Sequence, residues 1–240
     1  MKNMTFLFIL IATLGFSQKK AEDFKYIHNK RYTAIIIDPE KYPVEMYWKD
    51  DRGKLLRNFN NLADYVESKG KKLRFAMNGG MAMENRIPCG LFIQNFKEIT
   101  HLNTRTNGRS NFCLQPNGVF IINDHNQAQI CLTINYINPG NIRFATQSGV
   151  MPVVMGTMNP ILTTFNKSLY VRNGIGTFND GRVAFLISNN PISLHEFADY
   201  FVELGCYNAL YLDGAISGMY FPEKDIEDEG SWGVMIGINF

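Results

Sequence analysis

The 240-residue chain carries almost no excess charge, with 24 Lys and Arg against 22 Asp and Glu and a net charge of +2. A balance that even sets up no field strong enough to recruit nucleic acid or an acidic membrane surface. Cysteine is sparse: Cys89, Cys113, Cys131 and Cys206 lie far apart, with no Cys-x-x-Cys pair to suggest zinc or thioredoxin-like chemistry. They read as structural thiols or disulfides rather than as a catalytic nucleophile. His28, His101, His125 and His195 form no His-Glu-x-x-His or nucleophile-elbow arrangement. There is no P-loop, and no Gly-x-Gly-x-x-Gly follows a strand pattern. After Gln18 there is no Pro/Gly/Ser-rich linker, no low-complexity stretch and no internal repeat, so residues 18–240 read as one continuous domain. With 45% hydrophobic and 19% charged residues, the composition is that of a folded globular protein and excludes a disordered or collagen-like chain.

Long apolar runs are also missing, with one exception. Thr5–Phe16 is an apolar stretch behind Lys2, too short for a comfortable transmembrane helix, with small residues at Gly15 and Ser17. It reads as a signal peptide over residues 1–17. The expected protein is exported, periplasmic or extracellular, with no membrane span in the mature chain. Its oligomeric state is open.

What is present is a succession of short apolar runs. Tyr32–Ile37 and Val44–Trp48 have strand character, and Leu73–Met77 runs as a buried strand into Asn78-Gly79-Gly80. Leu91–Ile93, Gly118–Ile122, Gln129–Ile134, Ala145–Met155, Arg182–Ser188, Ala209–Leu212 and Gly233–Phe240 look alike. Leu55, Leu56, Phe59, Leu62, Ala63 and Val66 recur at helical spacing, with Gly70 placed to end that helix. A second helix starts at Ser193, followed three residues later by Glu196 as in a capping box, and ends at Gly205. The fold class is α+β, a single domain with a mixed β-sheet and flanking helices. The stretches over residues 44–77 and 183–212 could each be a strand-helix-strand crossover.

Four places combine strand ends with polar and glycine-rich sequence. Asn78-Gly79-Gly80 and Asp213-Gly214 each follow a buried strand, where glycine lets a ligand approach the backbone. Asn-Gly and Asp-Gly also cap ordinary turns. Arg172-Asn173-Gly174-Ile175-Gly176 could hold a phosphate or carboxylate by a guanidinium fork and backbone N–H groups, or be a plain hairpin with a surface Arg. Gln147-Ser148-Gly149 sits mid-strand, where the glycine suggests a bulge or a closely passing ligand.

Met77–Met81, Pro88-Cys-Gly-Leu-Phe92, Leu102–Thr104, Asn111-Phe112 with Pro116–Phe120, Ala145–Gly149, Arg172–Gly176 and Ala209–Gly214 with Ser217 occur in that order. Together they resemble the phosphodiester glycosidase family from about residue 32 onward, and its exported bacterial branch in particular. The resemblance implies a mixed α+β fold with a cleft lined by these motifs, and a carbohydrate or sugar-phosphate substrate. Asn78 and Gly79 match the family's Asn-Gly-Gly turn, Arg172 its Arg before Ile-Gly, and Asp213 and Ser217 its Leu-Asp-Gly-Gly-x-Ser segment. The chain departs from that pattern at Met81, Val150 and Ala215.

Hydrolysis at an anomeric carbon with a phosphate leaving group calls for electrostatic holding of the phosphate more than for a strong general acid. Arg172 is the expected phosphate holder. Asp213 is the carboxylate that activates water or steadies an oxocarbenium-like ring, and Glu84 is the candidate second carboxylate, or else an exposed loop residue. Asn78, Gly79, Gln147, Ser148, Gly176 and Ser217 are the expected substrate contacts, with Asn103, Thr104 and Asn111 from an adjacent loop. No cofactor and no metal is called for. The alternatives are a non-catalytic module that grips a glycan or cell-wall polymer and, behind it, a metal-dependent phosphodiesterase.

Overall fold

The computed structural model describes residues 23–108, 110–163, 168–213 and 216–239. The expected signal peptide, and Gly214 and Ala215 of the Asp-Gly turn, lie outside the described residues. Strands β1 (Phe24–His28), β2 (Tyr32–Ile37) and β3 (Val44–Tyr47) precede helix α1 (Phe59–Glu67) and β4 (Leu73–Asn78). A middle block holds β5 (Phe92–Gln94), β6 (Lys97–Thr100), β7 (Gly118–Asn123), β8 (Ala128–Leu132) and β9 (Ile142–Ser148). The short β10 (Val153–Val154) and β11 (Thr157–Met158) lead to β12 (Asn173–Thr177), β13 (Val183–Ser188), α2 (Leu194–Leu204) and β14 (Asn208–Asp213). Last come β15 (Met219–Phe221), β16 (Ile226–Glu227) and β17 (Met235–Asn239).

These strands form three sheets, with orders β1-β2-β13-β12-β14-β10-β11, β16-β15-β4-β17-β3 and β6-β5-β9-β7-β8. Among the described residues every ladder pairing is antiparallel, so the expected mixed sheet is corrected to three antiparallel ones. The proportion of helix is also smaller than the α+β reading implied. The crossovers survive in altered form. β3 and β4 run the same way with β17 inserted antiparallel between them, and β13 and β14 likewise flank β12.

Burial on both faces explains why parallel pairing looked plausible from sequence. Along β2 and β13, Ile35, Ile37, Val183, Phe185 and Ile187 enter a central cluster, while Ala34, Ile36, Ala184 and Leu186 enter a second one beneath α2. The central cluster also takes Phe75 and Ile236 from the second sheet and Phe92, Phe120 and Phe144 from the third, so three inward faces share one core. α1 covers the outer face of the second sheet through Phe59, Leu62 and Val66. An antiparallel strand roofed by a helix and floored by another sheet is as uniformly apolar as a parallel one.

The helix signals are realised. The Ser193 hydroxyl accepts from Glu196 N at 3.2 Å, the Glu196 carboxylate accepts from Ser193 N at 2.9 Å, and Gly205 adopts φ +80° at the C-cap. α1 begins at Asn58, whose side chain accepts from Asn61 N at 2.8 Å, so Leu55 and Leu56 lie ahead of it. Arg172–Gly176 is no turn. Asn173–Thr177 is strand β12, central in its sheet, and its glycines make room for α2. A Cβ on Gly174 would lie 2.7 Å from Leu210 O and 3.1 Å from the Phe201 ring, and one on Gly176 would press on Cys206 and on Phe201 at 3.0 Å. Gly176, expected as a substrate contact, therefore packs under the helix.

Gly174→Ala should lower stability by roughly 1–3 kcal/mol through overpacking. Urea unfolding would show a lower midpoint at an unchanged slope, and an unmoved midpoint would refute this account of the glycine.

Candidate active site

The ends of β4, β12 and β14 meet, and what joins them is a pair of buried amides. Asn78, 2% exposed, closes β4, and Asn173, fully buried, opens β12. The Asn173 amide donates to the Asn78 carbonyl at 2.8 Å and to Asn78 Oδ1 at 2.9 Å. Its own Oδ1 accepts from Asp213 N at 3.1 Å and faces the Ser217 hydroxyl at 3.2 Å. Asn78 donates in turn to Ile216 O at 3.0 Å, and its Oδ1 accepts from Gly218 N at 3.0 Å. The two amides thereby hold Asp213, Ile216, Ser217 and Gly218 against the end of β4. Only a side chain that both donates and accepts can do this.

Asn78, Asp213 and Ser217 are thus brought together as expected, but Asn78 is fully engaged with protein groups and its role is to position the loop. The register shifts between Asn173 and Gly174, so that Asn173 lies opposite Asp213 while Gly174 lies opposite Tyr211. Such a bulge re-aims a side chain at a strand end. Asp213 is half-buried here.

Arg172 is placed differently from the expectation. Adjacent strand residues point to opposite faces, and with Asn173 turned toward Asn78, Arg172 is turned to the α2 side. It is fully buried. Nε donates to Ile192 O at 2.7 Å, Nη2 to Ser168 O at 2.7 Å, and Nη1 to the Tyr211 hydroxyl at 2.6 Å. The fork is committed to protein oxygens, so Arg172 does not stand in the cleft as a phosphate clamp. Burial, outweighing the Arg172 charge, pushes the Tyr211 pKa up to about 12. Tyr211 stays protonated, and its hydroxyl accepts from the Arg172 guanidinium.

The remaining expected contacts separate into two groups. Gln147, 2% exposed, accepts from Leu91 N at 3.0 Å and Asn103 N at 2.9 Å, and donates to Asn103 O at 2.7 Å and the Thr133 hydroxyl at 3.2 Å. Gln147 and Asn103 therefore staple a loop to the third sheet, and Asn103 donates further to Cys89 O at 2.9 Å. Ser148 donates to Leu212 O at 3.1 Å, directly beside Asp213. Gly79 donates its N–H to Val234 O at 2.8 Å, and a Cβ there would lie 2.6 Å from Ile236. Gly149, expected at a bulge or beside a ligand, lies just past the end of β9, where a Cβ would meet Phe112 O at 2.5 Å. The backbone that passes close is the chain's own.

Thr104 and Glu84 are exposed. Glu84 sits near the tip of a turn whose base pairs Ala82 with Pro88. On the same loop, Cys89 is half-buried. Burial first, then the Asp213 carboxylate and Cys113, hold its thiol above the usual value. Asn173, Tyr211 and Cys89 lie inside motifs visible in the sequence, but none of the three stands out there as a site residue. Reading Arg172-Asn173 as strand rather than turn would have separated the two faces. All four cysteines are free thiols. Among the described residues no three His, Cys, Asp or Glu side chains gather as a metal-ligand group, and no helix is long and apolar enough to cross a membrane.

Residues 71–235 match the family model described as phosphodiester glycosidase. The uncharacterized protein YigE of Escherichia coli K12 is 34% identical over 188 residues, spanning 78% of this chain and 73% of that one. The fold is similar to the zebrafish N-acetylglucosamine-1-phosphodiester alpha-N-acetylglucosaminidase catalytic domain, auto-inhibited by its pro-peptide, with TM-score 0.60, 13% identity, and 90% and 81% of the two chains covered. A hypothetical protein from Synechocystis is similar at TM-score 0.51 and 12% identity, over 90% of this chain and 61% of that one.

Asn173→Ala should cost roughly 2–4 kcal/mol, because it leaves several buried donors and acceptors without partners. Arg172→Lys should cost roughly 1–3 kcal/mol, since one ammonium cannot serve three divergent oxygens. Thermal unfolding checks both, and parental stability in either variant would contradict the geometry described.

Proposed function

The chain belongs to the phosphodiester glycosidase family, and we propose that it is an exported hydrolase of a sugar-1-phosphodiester in which Asp213 is the working carboxylate. One observation carries this reading: Asp213 is half-open at a strand end, while the amides that hold its peptide are sealed beneath it. The Asn173 amide fixes the peptide that carries this carboxylate, and Asp213 Oδ1 accepts from Ile216 N at 3.5 Å, so the group is oriented from both ends. This is the preorganisation that makes electrostatic and proton-transfer catalysis effective.

In the reaction, the bond between the anomeric carbon and the phosphate oxygen breaks with its electron pair leaving on the phosphate monoester. That leaving group needs little protonation. Water adds to the oxocarbenium-like carbon, and its proton passes to the Asp213 carboxylate, which steadies the ring cation beforehand. Arg172 serves as a fixed positive charge behind Tyr211. Buried in a low-dielectric setting, it acts at longer range than a solvated Arg would, with the Tyr211 hydroxyl bonded to its Nη1 at 2.6 Å. Thr104 lies within reach of solvent on the loop that Gln147 and Asn103 secure.

Asp213→Asn should reduce hydrolysis of sugar-1-phosphodiesters by about 10²–10⁴-fold with an unchanged melting temperature. The assay is release of phosphate-linked sugar from a panel of such substrates. Parental turnover in this variant would overturn the assignment, and retention of sugar without product by the parent would identify a binding module instead.

A further inference from the structure

A single cross-strand row of the first sheet leaves the Asn173 hub and runs to the sheet edge. Asn173 lies opposite Ile187, Ile187 opposite Thr33, and Thr33 opposite His28. Directly opposed residues of antiparallel strands carry their side chains on one face. The row thus extends outward from the amide that holds Asp213, on the face turned toward the central core.

A cavity of about 510 Å³ lies over the outer part of that row, within the range of small-molecule sites. His28, Thr33, Asn189 and Ser217 supply polar wall, Asp228 and Glu229 supply two carboxylates, and the half-buried Val171 and Ile226 are the apolar lining. Ser217 is shared with the candidate active site, its hydroxyl 3.2 Å from Asn173 Oδ1 and 3.0 Å from Asp213 O.

We propose that this cavity is the sugar subsite of the chain and takes a neutral pyranose ring, a reading that rests on the phosphodiester glycosidase assignment. The hydrogen-bond sense of its wall suits hydroxyl groups. Thr33 donates to Asn189 Oδ1 at 2.8 Å, so the His28 Nδ1 that faces Thr33 at 2.8 Å is the donor of that pair. In the neutral imidazole this leaves Nε2 as an acceptor. Asp228 is fixed by accepting Met219 N on Oδ2 at 2.9 Å, which leaves Oδ1 as a second acceptor. The carboxylates repel a phosphate, so the phosphate of the substrate lies on the Arg172–Tyr211 side of Asp213 and the uncharged ring on the Ser217 side. The apolar lining receives the C–H face of the ring.

The test is an NMR titration of the full chain with glucose, mannose, N-acetylglucosamine and, separately, inorganic phosphate. At least one neutral sugar should shift the His28 imidazole and Asn189 amide signals saturably, while phosphate leaves them unmoved. His28→Ala and Asp228→Asn should each weaken that sugar about 3–10-fold. Asp213→Asn should keep the shifts while losing turnover, which separates the two readings. Hydrolysis without any sugar shift at His28 overturns the subsite alone. Sugar shifts without hydrolysis of any sugar-1-phosphodiester leave the cavity as a sugar site and overturn the catalytic reading. Equal shifts with phosphate overturn the neutral-ring assignment.

Discussion

The amide pair Asn78–Asn173 is the contact on which the site depends. It links the end of a strand in one sheet to the start of a strand in another, and from the same atoms it fixes the Asp213 peptide, Ser217 and Gly218. Buried polar groups tolerate this only when every donor and acceptor is matched, because each unmatched group forfeits its hydration without return. Here the matching is dense enough that two sheets and one loop share a single geometry. The Asp213 peptide is tied to both sheets through that pair.

Arg172 shows the same economy on the opposite face. A fully buried guanidinium is expensive to desolvate, and its partners here are two carbonyls and a tyrosine hydroxyl. Those oxygens come from segment 168–172, from the connection ahead of α2 and from β14, so the cation gathers three parts of the chain behind the site. The glycines of β12 belong to the same construction, since they bring α2 down onto the strand that carries Arg172 and Asn173.

Much of this was legible from residues alone. Apolar runs located most of the longer strands, the Ser193–Glu196 box and Gly205 bounded α2, and two polar turns after buried strands marked Asn78 and Asp213 as a pair. Strand β1 escaped because Phe24–His28 mixes polar and apolar residues on a sheet edge. Sheet direction escaped because burial on both faces imposes the same composition on parallel and antiparallel strands. Gln147 read as a ligand contact because an inward polar residue looks the same whether its partner is a sugar or a loop backbone.

The order of the longer elements and the bounds of α2 follow from local chemistry, which depends on spacing and side-chain type within a dozen residues. Whether Arg172 or Asn173 faces the cleft does not. That choice is made by a strand's alternation once its register against β13 and β14 is set, and register is a property of three chain segments packed together. Tertiary structure alone decided it, and with it which polar residues hold the site and which remain open to a substrate.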